Sequence, residues 1–266
     1  MLQSEPELTP LMQRDVPAAL RIINSHDEDD AEGAEDTYSE SLENQFGLRL
    51  NGDLVGVTGF TVEAQGVAWL SWHYVDPAHQ GKRYGEFMLR QVQKMLQKEA
   101  VRKLFISTSD YADGLSGPLL YQKAIDSYQR LGFQREGYHP NYFAPGEGEI
   151  LFGKKLGTAP PPEAITEEPW IVLQDATLIN ETDSSYYLNW EWDDAGHTFS
   201  GAALKDLADY WLKNEATSVF IAFPSDVLPF VEEKLNSAGF KKEVTLKDYH
   251  AEGVDEIRLR RNRTPN

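Results

Sequence analysis

The stretch "VDPAHQGKRYGEFML", residues 75–89, places two glycines and two cations just before a helical pattern. The first turn of a helix leaves about four backbone N–H groups without partners, and the helix dipole adds roughly half a positive charge. Gly81 and Gly85 let a bulky anion approach the backbone, while Lys82 and Arg83 add positive charge. The pattern predicts a phosphate or pyrophosphate site; a glycine-rich turn without a ligand is the alternative.

Several classes of site are disfavoured by what the sequence lacks. Neither G-x-x-x-x-G-K-[ST] nor G-x-G-x-x-G occurs, which argues against a nucleotide triphosphatase and a dinucleotide enzyme. The absence of cysteine excludes disulfides, thiol catalysis and cysteine metal sites, and the clustered carboxylates do not have EF-hand spacing, so we expect no metal. No apolar run reaches the roughly 18 residues of a membrane span, and the N-terminus has no signal pattern. We therefore expect a soluble, cytoplasmic protein without a membrane partner.

The charge balance is strongly acidic. The 266 residues include 25 basic and 43 acidic side chains, a net charge of −18. Both halves of the chain share the excess, so neither offers the basic surface that a nucleic-acid backbone needs. Such a surface suits a cationic ligand or a saline cell interior, and charge alone does not choose between them.

Two domains and a linker are predicted. Residues 1–156 form the first domain, the Pro-rich acidic stretch 157–169 is a linker, and residues 170–266 form a smaller second domain. The segment "GEFMLRQVQKMLQKEAVRKLFIS" from Gly85 resembles "GAALKDLADYWLKNEATSVFIAF" from Gly201, which indicates a duplicated αβαββ unit; two unrelated stretches are the alternative. The second copy lacks the glycine-rich cationic loop and has Asp193 and Asp194 there, which would repel phosphates.

The stretch "VDPAHQGKRYG" resembles the acetyl-coenzyme A motif of the GNAT N-acetyltransferases, V-x-P-x-x-R/Q-G-x-G-x-G/A. The matching positions are Val75, Pro77, Gln80, Gly81 and Gly85. Arg83 departs from the family, which most often has Gly there. The resemblance extends over residues 8–156 in element order, and the second domain looks like a degenerate half of the same fold.

The resemblance implies an α/β fold, a mixed and strongly twisted sheet flanked by helices. In the family, the strand at 69–75 splays from the strand at 103–107, and acetyl-CoA, the cosubstrate, enters the gap. Backbone groups near Tyr74 and Val75 would then pair with the pantetheine arm. The pyrophosphate would lie on the loop formed by Gln80, Gly81, Lys82, Arg83, Tyr84 and Gly85.

Candidate catalytic groups follow from the same resemblance. Tyr128 matches the family tyrosine that protonates the leaving thiolate, and its phenol pKa near 10 suits a thiolate of about 8.5. A tyrosine that only packs in the core is the alternative. The family often has a Glu base on the strand before the motif, but "WLSWHYV" has none. His73 is therefore the first candidate base, Glu63 the second, and a water relay without a single base stays open.

The acceptor is expected near the segment between the first two helices, "HDEDDAEGAED", which we interpret as an acidic loop. Asp29, Asp30 and Glu32 are its candidate substrate-binding residues, and they would attract a cation. A solvated acidic loop is the alternative. The predicted function is acetyl-CoA-dependent N-acetylation of a primary amine on a small cationic molecule. The alternatives are a coenzyme A-binding regulatory module without turnover and a protein N-acetyltransferase, in either case as a monomer or homodimer.

Overall fold

The computed structural model describes residues 5–63, 66–112, 119–163, 165–179, 182 and 184–264. Its contacts divide the chain into two compact units. The first unit is made of residues 1–107, 112–134 and 152–158, and the second of residues 108–111, 135–151 and 159–266. The hairpin at 135–151 thus groups with the C-terminal residues, whereas the domain boundary at residue 156 stays a prediction.

The first eleven elements follow the predicted order, with a short strand at the start. They are β1 Glu7–Pro10, α1 Val16–Asn24, α2 Glu28–Glu40, β2 Gln45–Leu50, β3 Asp53–Glu63, β4 Val67–Val75, α3 Tyr84–Lys98, β5 Lys103–Ser109, α4 Gln122–Arg130, β6 Gln134–Ala144 and β7 Glu147–Lys155. The strands form one sheet in the order β1-β2-β3-β4-β5-β7-β6.

Local sequence explains two of the connections. The Asn51-Gly52 turn joins β2 to β3 with φ of 54° and 94°, the left-handed pair that a tight hairpin requires, as predicted. Gly132 follows α4 with φ of 85°, the left-handed conformation that commonly ends a helix. The hairpin turn brings Leu50 opposite Asp53 and so begins the pairing of β2 with β3.

The expectation of an acidic loop at residues 26–36 was wrong, because α2 begins already at Glu28. Asp27 caps the helix: its side chain accepts the N–H groups of Asp29 and Asp30 at 3.0 and 3.2 Å. The helix is also stabilised by three acidic residues in its first turn, because their negative charges lie at the positive end of the helix dipole. The buried face consists of Ala31, Ala34 and Tyr38, which pack with α1.

The second unit has its own sheet. Its elements are β8 Ile171–Leu178, β9 Ser185–Trp192, α5 Gly201–Asn214, β10 Ser218–Pro224, α6 Leu228–Ser237, β11 Lys241–Ala251 and β12 Val254–Asn262. The strand order is β11-β12-β10-β9-β8. The predicted αβαββ run is present from α5 onward, and β8 and β9 precede it as two strands that the sequence analysis did not identify.

The two parts share one arrangement around their parallel strands. β4 pairs with β5 in parallel over three residues of each strand, Val67–Trp69 with Lys103–Phe105. β9 pairs with β10 in parallel over three residues as well, Ser185–Tyr187 with Ser218–Phe220. In each case an antiparallel neighbour, β3 or β8, lies on the other side. A C-terminal sheet of this kind fits the predicted second copy of the fold.

Candidate active site

The loop before α3 has two residues in left-handed backbone conformation. Asp76 accepts the Ala78 N–H at 2.8 Å and fixes a single turn at Pro77–His79. Gly81 then has φ of 77°, and Arg83, directly before the helix, has φ of 62°. Because two of the three residues 81–83 have left-handed backbone conformation, the chain bends sharply where it enters α3. A non-glycine residue rarely adopts this conformation, so Arg83 marks a strained position.

The start of α3 is accessible to an anion. The Phe87 N–H bonds to the Arg83 carbonyl at 3.0 Å, so the N–H groups of the preceding residues lie ahead of the helical ladder. Gly81 through Arg83 are exposed, and a Cβ added at Gly81 would meet nothing within 4 Å. The loop therefore combines open space, N–H groups that precede the first helical hydrogen bond and two cationic side chains, which suit a phosphate.

The strand edge beside this loop lies free of β5 along most of its length. Pairing between β4 and β5 ends at Trp69 and Phe105, whose rings stack with centroids 5.1 Å apart. Within the described residues, β4 has no ladder partner on the β5 side from Leu70 to Val75. The Val75 carbonyl oxygen accepts a hydrogen bond from His26 Nε2, which lies 2.8 Å away. Because the imidazole already occupies this carbonyl, Val75 is less able to accept a hydrogen bond from a ligand.

Tyr128 lies on α4 and is buried, with 6% of the residue exposed. Its ring packs against Phe133 and Phe152, with centroids 6.2 and 5.9 Å away. No hydrogen bond joins its hydroxyl to any residue in the part of the chain that the structure describes. Burial raises the pKa of Tyr128, so the phenol keeps its proton at neutral pH.

His73 connects β4 to its neighbours. Its Nδ1 lies 2.8 Å from Thr58 Oγ1, and a Cβ added at Gly85 would lie 3.4 Å from its Nε2. Burial lowers the pKa of His73 to about 4, partly offset by a backbone hydrogen bond at Gly85. Such a weakly basic imidazole is poorly suited to take a proton from an ammonium group.

Glu63 is not brought together with the other candidates. The register of β3 and β4 pairs Glu63 with Val67, whereas Val57 pairs with Tyr74. Glu63 therefore lies at the opposite end of β4 from Tyr74, about 20 Å along the strand at roughly 3.3 Å per residue.

Two carboxylates of α2 and its cap contact two phenols. The Tyr74 hydroxyl donates to Asp30 Oδ2, and the Tyr121 hydroxyl, at the start of α4, donates to Asp27 Oδ2 at 3.3 Å. Asp29 and Glu32, by contrast, are exposed on the outer side of the helix. Of the three predicted acceptor residues, only Asp30 thus meets the strand that leads to the glycine-rich loop.

Asp27 and Tyr121 are the two members of this cluster that sequence reasoning left out of the site. An Asp followed by an acidic first turn is an N-cap signal, so the direction of Asp27 could have been anticipated. The approach of Tyr121 could not, because 94 residues separate it from Asp27. Among the described residues, no group of three His, Asp or Glu side chains is placed to hold a metal ion.

Comparison with known proteins gives a family for the same region. Residues 11–133 match the model of the acetyltransferase (GNAT) family. This part of the chain is a GNAT domain. No curated protein sequence matches the chain. Among the helices that the structure describes, none has the length and apolar content of a membrane span.

Solved structures resemble the chain at low identity. A GNAT-family acetyltransferase of Desulfovibrio desulfuricans has 20% identity and a TM-score of 0.50, covering 57% of this chain and all of its own. The ribosomal-protein-S18-alanine N-acetyltransferase of Escherichia coli has 22% identity and a TM-score of 0.47, and the match covers 61% of this chain and 100% of that protein. Spermidine N-acetyltransferase of Vibrio cholerae, solved with CoA and spermine, has 14% identity and a TM-score of 0.47. The match covers 57% of this chain and 95% of that protein. The predicted family and fold class are confirmed.

Proposed function

We propose that the GNAT domain transfers the acetyl group of acetyl-CoA to a primary amine, with Tyr128 as general acid. The observation that carries the proposal is the loop before α3, where Gly81 and Arg83 adopt left-handed backbone and expose the helix start to solvent. Such a site suits the pyrophosphate of coenzyme A, since Lys82 and Arg83 supply charge and the backbone supplies N–H donors. The unpaired edge of β4 beside it would receive the pantetheine arm.

Acetyl-CoA, when bound, supplies the thioester, whose carbonyl carbon forms a C–N bond to the amine while its C–S bond breaks. Tyr128 is the candidate donor of a proton to the leaving thiolate, because its hydroxyl is protonated and bonds to no other described residue. Its raised pKa makes it a weaker acid than a free phenol, so the proton transfer depends on the thiolate forming close to it. The amine would lose its proton to water, since His73 is a weak base and Glu63 lies at the far end of β4.

The same weakness of His73 favours the second candidate, a module that binds coenzyme A without turnover. The purified chain is incubated with acetyl-CoA and a panel of primary amines, and free thiol is measured. We expect release with at least one amine. Binding of acetyl-CoA without release to any amine or peptide N-terminus would instead support the binding module.

The role of Tyr128 has a matched test. Tyr128→Phe removes the hydroxyl and keeps the ring, so turnover should fall about 100-fold while coenzyme A affinity changes little. Tyr210→Phe, at a tyrosine that is 57% exposed in the second unit, serves as the control. Turnover of Tyr128→Phe within twofold of wild type would mean that Tyr128 only packs in the core.

A further inference from the structure

Val75, the last residue of β4, directs its backbone groups to the open edge of the strand. The Asp76 N–H bonds to the Val55 carbonyl of β3 at 3.0 Å, so the backbone of Asp76 faces β3. Successive residues of an antiparallel strand direct their N–H and C=O groups to opposite edges. Val75 therefore faces away from β3, towards the edge that β5 leaves unpaired beyond Trp69 among the described residues.

The imidazole of His26 lies at this open edge. Its Nε2 is 2.8 Å from the Val75 carbonyl oxygen, and its ring contacts that of Tyr74 with centroids 5.1 Å apart. Because a carbonyl oxygen can only accept a hydrogen bond, Nε2 carries a proton in this arrangement. The distance is that of an ordinary N–H···O bond, so the imidazole takes the place of an N–H group from a paired strand.

His26 belongs to the short connection between α1 and α2. The N–H groups of His26 and Asp27 both bond to the Ile23 carbonyl, at 2.8 and 3.1 Å, which fixes the backbone of the connection. The half-buried imidazole, by contrast, is held within the described residues by one hydrogen bond and one ring contact. Rotation about the side-chain bonds of His26 can therefore free the Val75 carbonyl while both helices stay folded.

A ligand that binds at the start of α3 and extends along β4 would meet this imidazole. Val75 ends β4, so it is the residue of the strand that lies next in sequence to the loop before α3. The pantetheine arm of coenzyme A carries amide groups, and an amide N–H that pairs with the strand needs an outward-facing carbonyl. At Val75 the imidazole and such an amide would compete for one position in the plane of the sheet.

We propose that His26 occupies the coenzyme A position at Val75 in the free protein and turns away before the pantetheine arm pairs with β4. His26 then opposes cofactor binding by one hydrogen bond and couples cofactor entry to the connection between α1 and α2. The proposal rests on the proposed function, which places the pantetheine arm at the open edge of β4.

The sign of the effect distinguishes displacement from a purely structural role. If His26 only stabilised the fold around Val75, its removal would weaken cofactor binding or leave it unchanged. If the cofactor displaces His26, its removal strengthens binding, because one hydrogen bond fewer has to be broken. The gain is confined to ligands that reach Val75.

Calorimetry with coenzyme A and with ADP tests this difference, because both ligands have a pyrophosphate and only coenzyme A has a pantetheine arm. His26→Ala should bind coenzyme A about two- to tenfold more tightly than wild type, the range expected for one hydrogen bond. Its affinity for ADP should stay within about twofold of wild type, because ADP ends at the loop before α3.

Two further variants serve as controls. His26→Gln keeps an N–H donor of similar reach, so its affinity for coenzyme A should return to within about twofold of wild type. His197→Ala removes a histidine of the second unit whose side chain is 82% exposed, and it should change neither affinity. Thermal melting of each variant verifies that it is folded.

Nuclear magnetic resonance reports the displacement directly. The imidazole signals of His26 are assigned by their loss in His26→Ala. They should shift when coenzyme A is added to wild type and shift much less when ADP is added. Signals that respond equally to both ligands would contradict displacement by the pantetheine arm.

The outcomes separate this proposal from acetyl transfer. Tighter coenzyme A binding in His26→Ala without thiol release to any amine would support displacement and reject acetyl transfer. Unchanged or weaker coenzyme A binding in His26→Ala, or an equal gain for coenzyme A and ADP, would overturn displacement, and thiol release by wild type would then keep acetyl transfer. Failure of both proteins to bind coenzyme A would overturn both proposals.

Discussion

The two parallel strand pairs of this chain begin alike and then differ at one tryptophan. β4 and β5 pair up to Trp69, and β9 and β10 pair up to Tyr187; the third residue beyond each is a tryptophan, Trp72 or Trp190. Trp190 donates its Nε1–H to the Ala222 carbonyl of β10 at 2.7 Å and stacks on Phe223, with centroids 4.8 Å apart. The second gap is thus bridged by the protein's own indole.

In the GNAT domain the corresponding ring lies elsewhere. Trp72 has φ of 39°, within a register shift between β3 and β4. Its ring packs on α2, where a Cβ added at Gly33 would lie 3.0 Å from it. One backbone irregularity therefore directs the tryptophan away from its parallel partner, and the strand edge stays available. On the prediction that the second unit is a degenerate copy of the first, the direction of one side chain would be enough to close its ligand slot.

The largest expected effect concerns the glycine-rich loop before α3. Gly81→Glu should lower acetyl-CoA affinity at least about 100-fold, because it adds a negative charge at the phosphates and strains a residue with φ of 77°. Calorimetry measures the loss. Gly253→Glu is the control, since Gly253 in the second unit has φ of 79° and equally open surroundings.

Equal affinity losses in Gly81→Glu and Gly253→Glu would attribute the effect to general strain or charge. An unaffected Gly81→Glu would mean that coenzyme A does not lie on this loop.

The next largest effect is expected from removing the indole that bridges β9 and β10. Trp190→Ala removes a stacked ring and a hydrogen bond, and should destabilise the protein by about 2–4 kcal/mol, near the lower end for buried aromatic residues because Trp190 is partly exposed. Denaturant unfolding measures the change. Trp192→Ala, at a ring that is 53% exposed, should cost under about 1 kcal/mol. Acetyl-CoA binding to an opened second slot would show that Trp190 alone had excluded it.

A pH effect follows from His73 of the GNAT domain. Its pKa is about 4 when folded, against 6.5 in the unfolded chain, so the unfolded state takes up the proton first as pH falls. The stability from neutral His73 is complete above pH 6.5 and is lost progressively towards pH 4. The Tm advantage of wild type over His73→Asn should shrink over that range by roughly 5 °C. A constant advantage would contradict the burial of His73.

The smallest expected effect is the response to salt. Attraction of a cationic acceptor by α2 is screened with a Debye length of about 10 Å at 0.1 M. KM for 1,4-diaminobutane should rise about two- to fivefold between roughly 0.05 and 0.5 M NaCl, with kcat within twofold. KM for n-butylamine should change less. An equal rise for both amines would show that the acidic surface does not distinguish their charge.

The predictable part of the fold is the part whose signals are local. The hairpin at Asn51-Gly52, the helix after Gly81 and the cap at Gly132 each follow from a few adjacent residues. The start of α2 was missed because its buried face is made of Ala31, Ala34 and Tyr38, which give a weak apolar pattern. β8 and β9 were missed because their alternation is interrupted by polar residues and by the bulge after Leu173.

The candidate site divides in the same way. The roles proposed for the loop at Gly81 and for Tyr128 come from contiguous motifs and stay predictions. The contacts of Asp27 with Tyr121 and of Asp30 with Tyr74, by contrast, join residues 94 and 44 positions apart. Pairings of that kind depend on the packing of α2 against β4 and α4, which the sequence of any one element does not specify. The direction of Trp72 depends likewise on a register shift that only the paired strands reveal.

The most direct test of the account is the stoichiometry of acetyl-CoA binding to the wild-type chain by titration calorimetry. We expect one site per chain, because among the described residues the GNAT domain alone combines an open strand edge with the loop at Gly81, whereas Trp190 bridges β9 and β10. Two equivalent sites would contradict the filled second slot. No binding at all would contradict the assignment of the loop at Gly81 to a coenzyme A pyrophosphate.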